Sequence, residues 1–227
     1  MTNKKKKHLK KNVKIILCLI LGIGLAGYGG YNLYDIYKEA DAVKSSSETE
    51  TAMYIQKFTD VKTEVDTESE SELSEQINLE DQVGNGQVVG VLYIPSFNDF
   101  KHCIALGVED DVIANYVGMY RSYGSIGQPH SNTVLAAHSS MYGYSPIAFF
   151  NGIEKYVKSG DEISVLWHDG NTYKYVVDSV RTHVDQKDRS AFEQPSDNES
   201  EYITLQTCTF GDPNLRTYIR AKSSKGL

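Results

Sequence analysis

Cysteine is scarce in this chain, with three among 227 residues. That excludes a small disulfide-stapled scaffold, which needs a dense cysteine framework. Basic residues are also short once the first fourteen positions are set aside. Lys4 to Lys14 holds seven lysines and no acidic residue; taking those seven from the 23 basic residues leaves 16 against 30 acidic ones, a balance of −14. A chain of that sign is a poor fit to nucleic acid, whose phosphates call for a basic face. No internal period recurs, so a repeat array is excluded. No group of His, Cys, Asp and Glu has metal-ligand spacing, and neither a metal nor a cofactor is expected.

What is present falls into four segments. Residues 1–14 form a basic tail. Residues 15–34, within "VKIILCLILGIGLAGYGGYNLY", carry no charge from Ile15 to Tyr31, close to the apolar length of about 20 residues that spans a bilayer. The expectation is a transmembrane signal-anchor, with the lysines holding the N-terminus in the cytoplasm by the positive-inside bias. The chain would then be a single-pass protein of the cell membrane with its remainder outside. The rival is a cleaved signal peptide; the apolar run is longer than a usual h-region and "LAGYGG" is a weak cleavage site.

Residues 35–82 read as an acidic flexible linker. From Glu39 to Asp81 there are 13 acidic residues against three lysines, and such a stretch buries too little to offset its ordering entropy. Residues 83–227 change character: short β-rich runs alternate with turn signals, as in an all-β barrel or sandwich. "QVVGVLYIP", "HCIALGV", "NTVLAAH", "DEISVLW" and "NTYKYVVDSV" are strands, the last two joined at His168-Asp169-Gly170, a strong hairpin signal. Ser145 and Pro146 are placed to open a helix over "PIAFFNGIEKYV". A second, short helix is expected in "DDVIANYVG".

The last two runs, "YITLQTC" and "LRTYIRA", carry the chemistry. Side chains alternate along a strand, so Ile203, Leu205 and Thr207 share one face while Tyr202, Thr204, Gln206 and Cys208 share the other. If the runs pair antiparallel with their apolar faces aligned, Arg216, Tyr218 and Arg220 join Cys208. Arg216 lies beside it, and Arg220 is roughly 13 Å further along at about 3.3 Å per residue. A cation near a thiol favours the nucleophilic thiolate and offers donors to an oxyanion. His138, ending the run "NTVLAAH", is the histidine best placed to carry a proton; spacing alone leaves it open between a catalytic and a structural role. Ser139 and Ser140 read as turn or cap residues. Cys18 lies in the apolar span. Cys103 reads as a buried strand residue, although a disulfide with Cys208 is arithmetically open.

"TLQTC" ending a strand, with Arg216 in "NLRTYIRAK", resembles the TLxTC…R signature of sortases, the membrane-anchored cysteine transpeptidases of Gram-positive bacteria. "NTVLAAHSS" is similar to the family's histidine strand, and "GVLYIPSFN" to the strand that opens its catalytic domain. The resemblance runs from Gln87 to Lys222 with the motifs in family order. It implies an eight-stranded closed β-barrel with one or two short helices. It also implies Cys208 as nucleophile, His138 as proton donor and acceptor, Arg216 as the oxyanion and substrate-orienting group, and Thr207 as a residue lining the sorting-signal groove. Ala137 departs from the glycine that many members carry before the histidine. The implied reaction cleaves an LPxTG-like sorting signal through a cysteine acyl-enzyme and passes the protein to a cell-wall amine, on a peptidoglycan precursor or another protein. Two alternatives stand beside it: a cysteine (thiol) protease, a hydrolase of the same signal, and a non-catalytic membrane-tethered binding barrel. No apolar segment follows the domain, no Asp-Pro-aromatic lid precedes it near Ser74 to Gly90, and no long helical insertion separates His138 from Cys208. Those features favour a class A- or D-like enzyme.

Overall fold

A computed structural model describes residues 19–31, 34–35, 38, 41–42, 45–57, 84–140 and 147–224. Residues 1–42 and 43–227 form two separate compact units. In the first, residues 19–31 are helical (α1). Among the described residues no helix is long and apolar enough to cross a membrane. This overturns the expected transmembrane signal-anchor over 15–34, and with it the single-pass membrane localisation and the tether to the cytoplasmic membrane through an N-terminal helix. The absence of charge overstated the run, because Gly22, Gly24, Gly27, Gly29 and Gly30 lie within it and add no apolar side chain. Residues 1–18 lie outside the described residues.

The second unit is built on eight strands: β1 (Val88–Ile94), β2 (Phe100–Leu106), β3 (Val117–Met119), β4 (Ser131–Ala136), β5 (Glu162–Trp167), β6 (Thr172–Asp185), β7 (Glu201–Thr209) and β8 (Asp212–Ser223). They close into a barrel in the order β1-β2-β3-β4-β7-β8-β6-β5, so the eight-stranded closed barrel expected from the sequence is what forms. Closure leaves no unpaired sheet edge. The β2–β3 and β4–β7 pairs are parallel. Parallel neighbours need a crossover: α3 (Asp110–Ile113) lies in the first and the β5–β6 hairpin in the second. The interior is filled by Leu92, Ile104, Leu135, Val165, Ile203, Leu205 and Ile219, all at most 1% exposed. Gly90 lets β1 and β5 approach closely; a Cβ there would sit 2.8 Å from the Leu166 carbonyl oxygen and 2.9 Å from the Trp167 ring.

Two helical expectations resolve differently. The short helix in "DDVIANYVG" is α3. The longer one over "PIAFFNGIEKYV" is not formed in its described part; its proposed cap, Ser145 and Pro146, lies outside the described residues. From residue 147 the chain instead makes turns and one 3-10 turn, Ile153–Lys155, because Gly152 takes a left-handed conformation at φ 67° and interrupts the helical path. Phe150, Ile153 and Val157 still reach the core.

Within the segment read as a flexible linker, residues 45–57 are helical (α2); 58–82 lie outside the described residues. One face of α2 rests on β2 through polar contacts. Ser47 and Thr51 are buried, with Ser47 Oγ 2.6 Å from His102 Nε2. The Thr51 hydroxyl donates to Cys103 Sγ at 3.4 Å, and the Tyr116 hydroxyl donates to Glu50 at 3.0 Å. His102 Nδ1 lies 3.4 Å from the Cys103 carbonyl; in that tautomer Nε2 accepts from Ser47. Burial pushes the His102 imidazole down from 6.5 to about 4. Between those values the unfolded chain binds the proton and the folded one does not, so stability rises with pH from 4 to 6.5 and is flat above. The expected loss on acidification from pH 7 to 4 is about 3 kcal/mol from this group. Urea denaturation at pH 7.5 and 4.5 checks it: His102→Gln, which keeps polar atoms but does not titrate, flattens most of that dependence.

Candidate functional site

The site lies on the outer face of the barrel where β4, β7, β8 and β6 run side by side. Pairing aligns Ala136 with Gln206 across β4–β7 and Gln206 with Tyr218 across β7–β8. Tyr218 in turn aligns with Arg181 on β6. Paired residues share a face. In the next row toward the end of β7, Cys208 is paired directly with Arg216 and Arg216 with Val184. His138 follows β4 by two residues. The parallel register that joins Ala136 to Gln206 carries it toward Cys208, and its carbonyl is held by the Phe150 N–H at 3.0 Å.

The register shifts just after Cys208, where Thr209 is paired with Asp212. The bulge over Pro213–Leu215 and a turn at Gly211, φ 84°, put the sulfur at the rim. Cys208 is a free, partly exposed thiol. Arg216 Nη1 donates to the carbonyls of Pro213 at 2.6 Å and Leu215 at 3.1 Å, and Nη2 donates to Gln186 Oε1 at 3.4 Å. Among the described residues no carboxylate pairs with it, so its charge remains available to an anion. Arg220 differs: Nε and Nη2 both donate to Asp178, at 3.1 and 2.9 Å. Burial pushes the His138 imidazole below its ordinary value, opposed by the Asp110 carboxylate.

Thr207 sits on the opposite face of β7, 4% exposed, and its hydroxyl donates to the Ala137 carbonyl at 2.8 Å. The structure does not bring it into the row of Cys208 and Arg216. It ties β7 to the residue that precedes His138. Thr207→Val should cost about 1 kcal/mol through the unpaired carbonyl and lower kcat more than it changes KM, measurable by denaturation and steady-state kinetics on one preparation.

Two neighbouring residues that sequence reasoning gave no joint role, His102 and Cys103, form an inert pair. Cys103 is free and 1% exposed, and burial pushes its thiol up to about 11. A protonated, enclosed thiol is neither nucleophile nor disulfide partner. Sequence reasoning also missed a turn packed on this outer face. The 3-10 turn Ser190–Phe192 is fixed over β4 and β7 by Asn132, whose amide donates to the Ala191 and Glu193 carbonyls, both at 3.0 Å. Thr204 donates to Asn132 Oδ1 at 2.8 Å. Phe192 meets Tyr218 edge to face at 5.6 Å.

A closed β-barrel with an accessible thiol and a guanidinium in one row, and an imidazole at the end of the adjoining strand, defines a cysteine-type enzyme. The sortase domain model matches residues 92–224, more than half of the chain, and the chain belongs to the sortase family of cysteine transpeptidases. Solved structures agree in fold. The chain is similar to a Clostridium perfringens sortase D5 transpeptidase, with 22% identity, TM-score 0.59, and coverage of 78% of this chain and 98% of that one. A C. perfringens sortase C with the C-terminal cell wall sorting motif gives 20% identity, TM-score 0.57, and coverage of 75% and 98%. A lid mutant of sortase A from Corynebacterium diphtheriae gives 24%, 0.55, and coverage of 78% and 95%. No curated protein sequence matches.

Proposed function

We propose that this sortase cleaves an LPxTG-like sorting signal and transfers the acyl part to an amine, with Cys208 as nucleophile, His138 as acid–base group and Arg216 as oxyanion donor. The observation that carries the reading is the direct pairing of Cys208 with Arg216 beside the end of β4. His138 accepts the thiol proton as Sγ attacks the Thr carbonyl of the signal. The C–N bond to the following residue breaks, His138 protonates the departing amine, and a thioester remains on Cys208. An incoming amine attacks that thioester and gives a proton to His138. The new amide departs and the thiol is regenerated.

Peptidoglycan-type amines are the acceptor class this chemistry suits. The test is acceptor dependence. Adding a glycine- or diaminopimelate-bearing amine to enzyme and an LPxTG-like peptide should shift the product from free acid to amide. If acid remains the sole product at saturating amine, the enzyme is a hydrolase and transfer is the wrong assignment.

A further inference from the structure

We propose that His102 is a positioning residue for His138: α2, docked through Ser47, fixes the His102 ring against Phe149 and so sets the segment that holds the His138 backbone. The role rests on the reading of His138 as acid–base group. It ties turnover to a helix that precedes the barrel and rests on β2, remote in sequence from Cys208.

His138 stands beyond the end of β4, past the ladder that fixes Ala136. Its backbone is held instead by residues 150 and 151. The Phe150 N–H donates to the His138 carbonyl at 3.0 Å, and the Ser140 N–H donates to Asn151 Oδ1 at 3.1 Å. What places Phe150 and Asn151 therefore places the backbone from which the imidazole projects. Phe150 is fully buried, with its ring centroid 5.8 Å from that of Phe100. Phe149, just before it, packs on His102 with centroids 3.9 Å apart, and His102 stacks on Phe100 at 5.9 Å. Phe100, His102, Phe149 and Phe150 thus form one aromatic cluster at the start of β2.

α2 reaches that cluster through a single polar atom. Ser47 Oγ lies 2.6 Å from His102 Nε2, and both side chains are buried. A phenylalanine would fill an aromatic cluster without withdrawing a polar ring from water, which is costly unless the ring is hydrogen-bonded. The imidazole supplies what phenylalanine lacks, a directional bond. The χ2 torsion of a histidine is broad on its own. Ser47 on Nε2, with the Cys103 carbonyl 3.4 Å from Nδ1, selects one orientation, and the face turned to Phe149 follows from it. A helix of the length of residues 45–57 is marginal in isolation, so docking and helix formation go together. Removing the Ser47 hydroxyl loosens both, and the slack passes through His102 and Phe149 to the backbone of His138.

Ser47→Ala and Ser47→Thr in the full chain test the relay, with an LPxTG-like peptide as substrate. Ser47→Ala should lower kcat about tenfold with KM within about twofold, since a small misplacement of an acid–base group costs rate rather than binding. Ser47→Thr, which keeps the hydroxyl, should restore most of the rate. His102→Phe should lose as much as Ser47→Ala, and the double variant no more than either alone, because both remove one contact. NMR of 13C-histidine-labelled protein adds a direct reading: the His138 Cε1 resonance, assigned with His138→Gln, should move in Ser47→Ala and return in Ser47→Thr. If Ser47→Ala fails to fold by circular dichroism, Phe149→Leu, which leaves the Ser47–His102 bond in place, is read instead and should give the same kcat and KM split. A lower melting temperature with kcat unchanged, or additive losses in the double variant, overturns this inference while leaving Cys208-dependent cleavage intact. Undiminished cleavage by His138→Gln overturns the reading of His138 and this inference with it.

Discussion

Replacing Cys208 by alanine should abolish cleavage of an LPxTG-like peptide, a loss on the order of 10⁴-fold or more, whereas Cys103→Ala should retain turnover within about threefold. The contrast comes from environment. Both residues are free thiols, but only Cys208 stands at a rim, paired with a cation that no described carboxylate neutralises. Cys103 is enclosed by α2, accepts a hydrogen bond from Thr51, and has its thiol pushed well above the physiological range. Its replacement should cost stability, on the order of 1 kcal/mol for a small buried side chain, and not chemistry. Steady-state kinetics with thermal melts on both variants separates these effects. Turnover that survives Cys208→Ala and is lost with Cys103→Ala would reverse the assignment.

Arg216→Ala should lower kcat by about 10²–10³-fold, the usual effect of removing a donor from an oxyanion site, while Arg220→Ala should stay within about threefold. The two arginines share a face of β8, so composition does not separate them. Partners do. Arg220 is held by Asp178 through two hydrogen bonds and lies over the Tyr202 ring at 4.7 Å. Among the described residues, Arg216 is held only by neutral oxygens of Pro213, Leu215 and Gln186. Those bonds can exchange for a substrate oxygen without leaving a buried charge unpaired. Arg216→Lys should recover little, because an ammonium lacks the planar fork that can keep a turn carbonyl and take an oxyanion together. Equal losses from Arg216→Ala and Arg220→Ala would contradict the geometry of the row.

Much of the barrel was legible in the sequence because its information is local and of period two. The antiparallel β7–β8 hairpin comes from two apolar faces that must coincide, and that alignment places Cys208 opposite Arg216. His168-Asp169-Gly170 marks the β5–β6 hairpin by turn chemistry. What escaped depends on longer-range contacts or on a single backbone choice. Gly152 breaks an otherwise periodic helical pattern, which apolar spacing does not reveal. The buried face of α2 is Ser47 and Thr51, flanked by Glu50, so a search for an apolar stripe passes over it. The run over 15–34 matches a membrane span in charge and length, yet its glycines add no apolar side chain.

The most direct test is intact-mass spectrometry of the protein mixed with an LPxTG-like peptide in the absence of an amine acceptor, with peptide mapping of the product. The account predicts an increment equal to the acyl portion of the peptide, located on Cys208 and absent from Cys208→Ala. Cleaved peptide with no covalent increment at any time point, or an increment located on Cys103, would contradict it.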